Sequence, residues 1–324
     1  MLHQMRSKSS GVKRRQPGFT LLETMIAMAI FLIIASVIMF ALMQMTTVHG
    51  TISNRTQMHS SIRSATEVLQ QEIGQAGRIA LPGGTTSLTQ PVTAAQVTAG
   101  LPVAVTVASA AGMFTGEQLW IDSGTSQETV TLTSVITPTN TITATFNNTH
   151  ASAAPVAVAG AFQTGVVPDT LATGASDGTH LKLYGDINGD GNMVYVEYTC
   201  DTSTNHALYR NEVTFTSATI TNPPTATMIL LPNIQPNPGG TACFSYQDRP
   251  VGCTGAACYV TDVSVTLTIQ TQNPDPQTKQ YQQETKALLN VSPRNVFQAW
   301  ELMSAGVTNR VQPMPASVAT LITQ

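Results

Sequence analysis

The stretch KRRQPGFTLLETMIAMAIFLIIASVIMFALMQ, Lys13–Gln44, governs the reading of the whole chain. From Phe19 to Met43 it is apolar apart from Thr20, Glu23, Thr24 and Ser36. As a helix, these residues would span roughly 37 Å, enough to cross the hydrocarbon core of a bilayer. Arg6, Lys8, Lys13, Arg14 and Arg15 precede the run, with no acidic residue among them. That asymmetry leaves the start of the chain in the cytoplasm and sends the rest outward. A cleaved signal peptide would end at a small-residue site beyond its apolar region. The A-x-A present, Ala27-Met28-Ala29, is embedded inside the run, with strongly apolar residues continuing after it. The run is therefore kept, and Glu23 needs a reason, because an isolated carboxylate in a membrane helix is costly and marks function.

PGFTLLE, Pro17–Glu23, resembles the type IV prepilin motif. The resemblance implies that residues 1–18 are a leader closed by Gly18. A prepilin peptidase would cut before Phe19 on the cytoplasmic side and methylate the new amine. Glu23 falls at the matching acidic position, the fifth residue of the mature chain. In a filament it would neutralise the N-terminal amine of a neighbouring subunit, a pairing that gains strength in an apolar medium and sets axial register. The plainer reading is a carboxylate tolerated near the lipid headgroups.

Beyond the run, residues 44–77 lack proline, and Ile62, Ala65, Leu69, Ile73 and Ala76 recur at spacings of three and four. That pattern predicts an amphipathic continuation with one stripe for a β-sheet, stopped by Gly77 and Pro82. One long helix is expected over residues 19–80, membrane-spanning to about residue 43. LQQEIGQAGRI, Leu69–Ile79, resembles the end of the long helix in PilW-type minor pilins, with Glu72, Ala76 and Gly77 matching.

Thr, Ala, Val, Ser and Gly then dominate, and alternating runs punctuated by turn residues predict strands. EQLWI (Glu117–Ile121), ETVTLTSVI (Glu128–Ile136) and NTITATF (Asn140–Phe146) define an inserted β unit over residues 85–163. It is expected to be a small barrel or sandwich with Phe114, Trp120 and Phe146 in its core. Residues 166–290 would form the pilin β-domain. Its strands are expected in THLKLYGDINGDGNMVYVEYTC (Thr179–Cys200), ALYRNEV (Ala207–Val213) and YVTDVSVTLTIQTQ (Tyr259–Gln272). VYVEYTCDTSTNHALYR looks like a hairpin of PilW-like minor pilins and of J-type pseudopilins of type II secretion. The tail, residues 291–324, carries one short helix in NVFQAWELMSAG (Asn295–Gly306) and is expected to end in mobile residues. The fold class is thus α+β: a long N-terminal transmembrane and amphipathic helix packed on an antiparallel pilin sheet, with an inserted all-β unit.

The chain of 324 residues has 10% charged residues and net charge −3, which implies no nucleic-acid surface. Cys200, Cys243, Cys253 and Cys258 all follow the apolar run, an even count consistent with disulfides in an oxidising compartment. Three connectivities are open, with Cys253–Cys258 and Cys200–Cys243 preferred.

DINGDGNMVYVE, Asp186–Glu197, fits the D-x-[DN]-x-[DN]-G-x5-E calcium-loop template. Asp186, Asn188 and Asp190 would offer side-chain oxygens to Ca²⁺, Asn192 a carbonyl and Glu197 the twelfth-position carboxylate. The flanks alternate like strands rather than helices, so a polar hairpin loop is weighed equally. GASDG (Gly174–Gly178) matches a nucleophile-elbow pattern but precedes a strand, and reads as a loop. The histidines are scattered without metal-binding spacing.

No catalytic constellation emerges, and the expected role is structural rather than enzymatic. The resemblance implies a minor pilin of a type IV pilus, contributing to the start of assembly and sited near the tip. Its partners would be the prepilin peptidase, other minor and major pilins and the inner-membrane assembly platform. It would cross the inner membrane once, cytoplasmic N-terminus inside and periplasmic head outside, before joining a surface filament. The alternatives are a J-type pseudopilin and a tip adhesin acting through the inserted β unit.

Overall fold

The computed structural model describes residues 18–324, so the expected leader lies outside the described residues except for Gly18. Helix α1 covers Leu21–Gln75. The chain divides into two units: one ends at Ser53 and includes Asp275–Lys279, and the other comprises Asn54–Pro274 with Gln280–Gln324.

In the first unit, the apolar side chains of α1 face outward and remain uncovered. Its few hydroxyls are satisfied by the helix itself. Thr24 donates to Leu21 O at 2.9 Å, Ser36 to Ile33 O at 2.7 Å and Thr47 to Met43 O at 2.8 Å. Such back-bonding lets Ser and Thr sit in an apolar run without an orphaned polar group. A side chain at Gly50 would come within 2.9 Å of the Pro276 ring.

In the second unit, the stripe Met58, Ile62, Ala65, Leu69 and Ile73 is buried, as its spacing predicts. It shares one core with two antiparallel sheets. Before these sheets, the chain builds β1 (Thr86–Ser87), α2 (Ala94–Ala99), β2 (Val103–Thr106), β3 (Gln118–Ile121), β4 (Glu128–Ile136), β5 (Thr141–Ala144), β6 (Pro155–Val158) and β7 (Ala161–Phe162). There follow β8 (His180–Gly185), β9 (Val194–Asp201), β10 (Ala207–Thr214), β11 (Ile229–Pro232), β12 (Ile234–Gln235), β13 (Phe244–Arg249), β14 (Tyr259–Gln270) and β15 (Gln283–Val291). The chain ends with α3 (Arg294–Ser304), β16 (Val311–Gln312) and α4 (Ala316–Leu321).

One sheet has the order β11-β10-β9-β8; the other has β14 between β12 and β13 on one side and β15 on the other. Alternation supplies the buried face: Val196, Tyr198 and Cys200 on β9, and Val263, Val265, Leu267 and Ile269 on β14. Val260 joins the same face despite its odd offset from Val263, because the register with β13 shifts between Gln247 and Asp248. A bulge of this kind resets the parity of a strand.

The strands predicted over residues 117–146 are β3, β4 and β5. They belong to a six-stranded antiparallel sheet of order β1-β6-β3-β4-β5-β2. An antiparallel bridge, Leu88↔Val107, joins the two ends of that order. With Thr89 N donating to Thr106 O at 2.9 Å and Ala108 N to Ser87 O at 2.8 Å, the sheet closes into a barrel without free edges. Its core is its own, with Val105, Leu119, Ile121, Ile142 and Val156 fully buried.

Of the three aromatics expected in that core, Phe146 alone enters it. Trp120 is half-buried beneath the Arg310 guanidinium, 5.1 Å from the ring centre. Phe114 packs beside Phe162 and Phe215 in another cluster. Alternation explains Trp120, which stands between the inward residues Leu119 and Ile121.

The helix expected near residue 295 is α3. The expectation of mobile final residues is corrected: α4 buries Val318 and Leu321, and Ile322 follows them into the same core. Their i, i+3, i+4 spacing forms an apolar helix face that pays back the cost of ordering a terminus.

Candidate functional site

The helix start is built from two polar residues three apart. Thr20 precedes α1, and Glu23 N donates to Thr20 Oγ1 at 3.3 Å. In return, Thr20 N donates to Glu23 Oε2 at 3.4 Å. This is a capping box: each side chain satisfies a backbone N–H that the first helical turn leaves free. The S/T-x-x-E spacing is readable in TLLE, yet the sequence reading singled out Glu23 by its cost in an apolar helix and by the prepilin motif, not as a cap. The carboxylate also lies at the positive end of the helix dipole. Phe19 is 83% exposed immediately before the cap. From there to Met45 the helix presents Leu22, Ile26, Phe31, Ile33 and Phe40 outward, each more than half exposed. The helix is long and apolar enough to cross a membrane, and its most apolar window has no buried residue.

A second polar group lies in the core of the other unit. Glu72 of α1 is 7% exposed. It accepts from the Tyr198 hydroxyl at 2.5 Å and from Arg210 Nε at 2.8 Å. Arg210 also reaches Glu212 at 2.6 Å, and Glu212 accepts from the Asn188 side-chain amide at 3.2 Å. Burial pushes the Tyr198 hydroxyl well above its ordinary range, and the Glu72 charge adds to this. Burial would lower the Arg210 guanidinium, but hydrogen bonding and attraction from Glu72 more than reverse it. A buried acid is tolerated only when paired and fully hydrogen-bonded, and here it is both.

This cluster unites two separately noted stretches, LQQEIGQAGRI and VYVEYTCDTSTNHALYR. Glu72 comes from the first; Tyr198 and Arg210 come from the second. Just beyond, Gly77 has φ +81° and donates to Tyr184 O at 2.9 Å, while its own carbonyl accepts from Phe162 N at 2.9 Å. A Cβ at Gly77 would lie 2.9 Å from Val296 Cγ2, so both the left-handed turn and the close packing require glycine. Asn295 Nδ2 donates to Gln75 O at 3.0 Å and to Ala76 O at 3.3 Å, capping the helix end.

The Asp186–Glu197 segment is the β8–β9 connection and the start of β9. Asp186 is fully buried; its Oδ1 accepts from Gly191 N at 3.2 Å, and its Oδ2 lies 3.4 Å from Arg78 Nε. Asp190 Oδ1 accepts from Asn192 N at 2.8 Å, which holds this carboxyl below its usual range. The Asn188 amide is turned toward Glu212. Glu197 pairs with Lys182 and Asn211 within the sheet, three residues beyond Val194, and accepts from Tyr195 Oη at 2.8 Å. At a strand rise of about 3.3 Å per residue, Glu197 stands about 10 Å along β9 from Val194. The structure therefore gathers Asp186, Asn188, Asp190 and Asn192 in one turn and sets Glu197 apart from them.

Cys200 and Cys243 are bonded, with Cα atoms 6.5 Å apart, and Cys253 is bonded to Cys258, with Cα atoms 5.4 Å apart. The first bond ties β9 to the residue preceding β13, joining the two sheets. Asp248 lies beside the second pair, but both sulfurs there are consumed by the disulfide.

The barrel hides titratable groups that the sequence reading missed. His150 is buried, with Nδ1 at 3.2 Å from Asp122 and Nε2 at 2.7 Å from Glu128. Glu117 is fully buried; burial pushes it up to about 8, against one hydrogen bond from Phe114 N. No spacing announces the His150 group, whose partners lie 22 and 28 positions away in the chain.

A family model described as the prokaryotic N-terminal methylation motif matches residues 13–39. No curated protein and no solved structure matches the chain. The chain thus carries a type IV pilin-like prepilin signal on a long apolar helix, and this supports a structural subunit of the pilin or pseudopilin kind.

Proposed function

We propose that this chain is a PilW-type minor pilin, a structural subunit that helps start a type IV pilus and sits near its tip. A prepilin peptidase cuts between Gly18 and Phe19 and methylates the Phe19 amine. The helix then holds the subunit in the inner membrane until the assembly platform draws it into the filament with other minor and major pilins. Glu23 caps its own helix in the free subunit and pairs with a neighbour's N-terminus after assembly. The observation that carries the PilW reading is the junction of Glu72 with Tyr198 and Arg210. It makes one helix-to-sheet lock from the two stretches that resemble that family.

Mass spectrometry of the mature protein should find N-methylphenylalanine at Phe19 as its first residue. A Glu23→Ala variant should still be cut but enter filaments poorly. An intact leader in cells with active prepilin peptidase would overturn the reading. A J-type pseudopilin is the runner-up, and deletion of the gene distinguishes them: loss of pili favours the first, loss of secretion the second.

The closed barrel with its own core supports an additional tip-adhesin role. For the Asp186 turn, we propose that the Arg78 guanidinium serves as its cation in place of Ca²⁺, since it already lies against the buried carboxylate.

A further inference from the structure

The face of β8, β9 and β10 turned away from α1 changes character along its length. At one end, Tyr184 and Tyr195 enter an apolar core. At the other, the cross-strand rows are His180–Thr199–Tyr209 and Lys182–Glu197–Asn211, with Lys182 Nζ turned to Gly174 O at 3.2 Å and Ile322 O at 2.7 Å. Over these rows lies a cavity of about 280 Å³, roofed by Ile220–Pro224 and Gln324. The roof is pinned: Asn222 Nδ2 donates to Gln324 O at 2.6 Å and Ile220 N to Gln324 Oε1 at 3.1 Å.

Asn211 is 4% exposed and lines this cavity. Its Nδ2 donates to Thr221 O at 2.8 Å, which fixes the amide, and its Oδ1 has no donor among the described residues. A buried carbonyl without a donor is costly unless something else supplies one. Beside it, Glu197 accepts the Tyr195 hydroxyl on Oε2, and a carboxylate has room for further donors. Among the lining residues are further polar groups, His180, Thr199 and Asn222, but neither lysine nor arginine. With Glu197 and Asp201 both in the lining, the charge there disfavours an anion. Tyr209, Pro223, Pro224 and Ile220 add apolar surface.

One acceptor without a donor, a carboxylate with spare lone pairs, neighbouring amide and hydroxyl groups, and a ring and two prolines suit a polyhydroxylated ring with C–H faces. The volume is just below the range for drug-sized ligands, so it suits one ring and not a chain. We propose that this cavity binds a single neutral sugar residue, the terminal unit of a glycan, with Asn211 and Glu197 accepting its hydroxyl donors.

The site does not depend on the pilus reading, and its test uses the purified subunit outside any filament. Full-length protein is held in a zwitterionic detergent lacking a sugar headgroup. Saturation-transfer NMR is run with galactose, glucose, mannose, N-acetylglucosamine and the anionic sialic acid. At least one neutral sugar should give signal. Glu197→Gln, which keeps an acceptor for Tyr195, should weaken its affinity at least tenfold with unchanged near-ultraviolet circular dichroism. Asn211→Ala should weaken it as well. The proposal is overturned if no neutral sugar gives signal, if sialic acid alone does, or if folded Glu197→Gln keeps wild-type affinity.

Discussion

Glu72 and Glu23 are two acids on one helix, and their surroundings give them different tasks. Glu23 is exposed and closes a cap with Thr20. Glu72 is buried and depends on Arg210. Removing the cation from such a pair strands a charge, whereas removing both charges is often close to neutral. Arg210→Met is therefore expected to cost about 3 kcal/mol in denaturant unfolding. Glu72→Gln combined with Arg210→Met should recover most of that loss, because Gln still accepts the Tyr198 hydroxyl. An additive double mutant would show that the two residues are not coupled. Motif resemblance had singled out Glu72 and the stretch that carries Tyr198 and Arg210; their mutual contact needed the packed sheet, because residues 126 and 138 positions apart meet there.

At the scale of elements, the barrel carries the pH dependence. Glu117 binds its proton more tightly in the folded chain, up to about 8 against an ordinary 4.5. A raised carboxylate gives stability that is full below the unfolded value and falls as pH rises toward 8. Glu117→Gln should remove that slope, so its Tm should exceed the wild-type Tm at pH 8 and approach it at pH 4.5. Asp122 works oppositely. The hydrogen bond to His150 is the main cause that holds it below its ordinary value, followed by the Ser123 N–H. Its contribution is present above about pH 4 and is lost as pH falls further. His150→Gln should flatten this acid limb of the Tm profile, and an unchanged acid limb would disprove the pairing. Strand positions in β3, β4 and β5 were legible from period-2 alternation. The choice between barrel and sandwich was not, because closure rests on the pairing of Ser87–Thr89 with Thr106–Ala108, which has no local signal.

For the molecule as a whole, the path of the chain suggests a way to separate head and barrel functions. Arg78 and Ala161 pair as an antiparallel bridge, so the excursion between them leaves and returns at one place. Splicing residue 79 to residue 161 through a short Gly-Ser linker should leave the α1 stripe, the two sheets and the Cys200–Cys243 bond in place. Gln312 would lose its contacts to Gln118 and Ala159, so a modest fall in Tm is expected. If the spliced subunit still enters filaments but surface attachment fails, the barrel is the adhesive part; if attachment is unchanged, the adhesin role falls. A calcium titration addresses the Asp186 turn, where equal Tm values in Ca²⁺ and in chelator are expected with Arg78 as its cation.

Sequence by itself determined the features that repeat locally: the apolar run, the capping and methylation signals, the three-and-four stripe and the strand alternation. These follow from side-chain periodicity and need no distant partner. Tertiary structure alone decided which face of β3 Trp120 occupies, that the last residues are ordered, and where each buried acid finds its counter-group. Those outcomes depend on contacts between residues far apart in the chain, and burial there decides whether a charge is paired, protonated or left to bind something else.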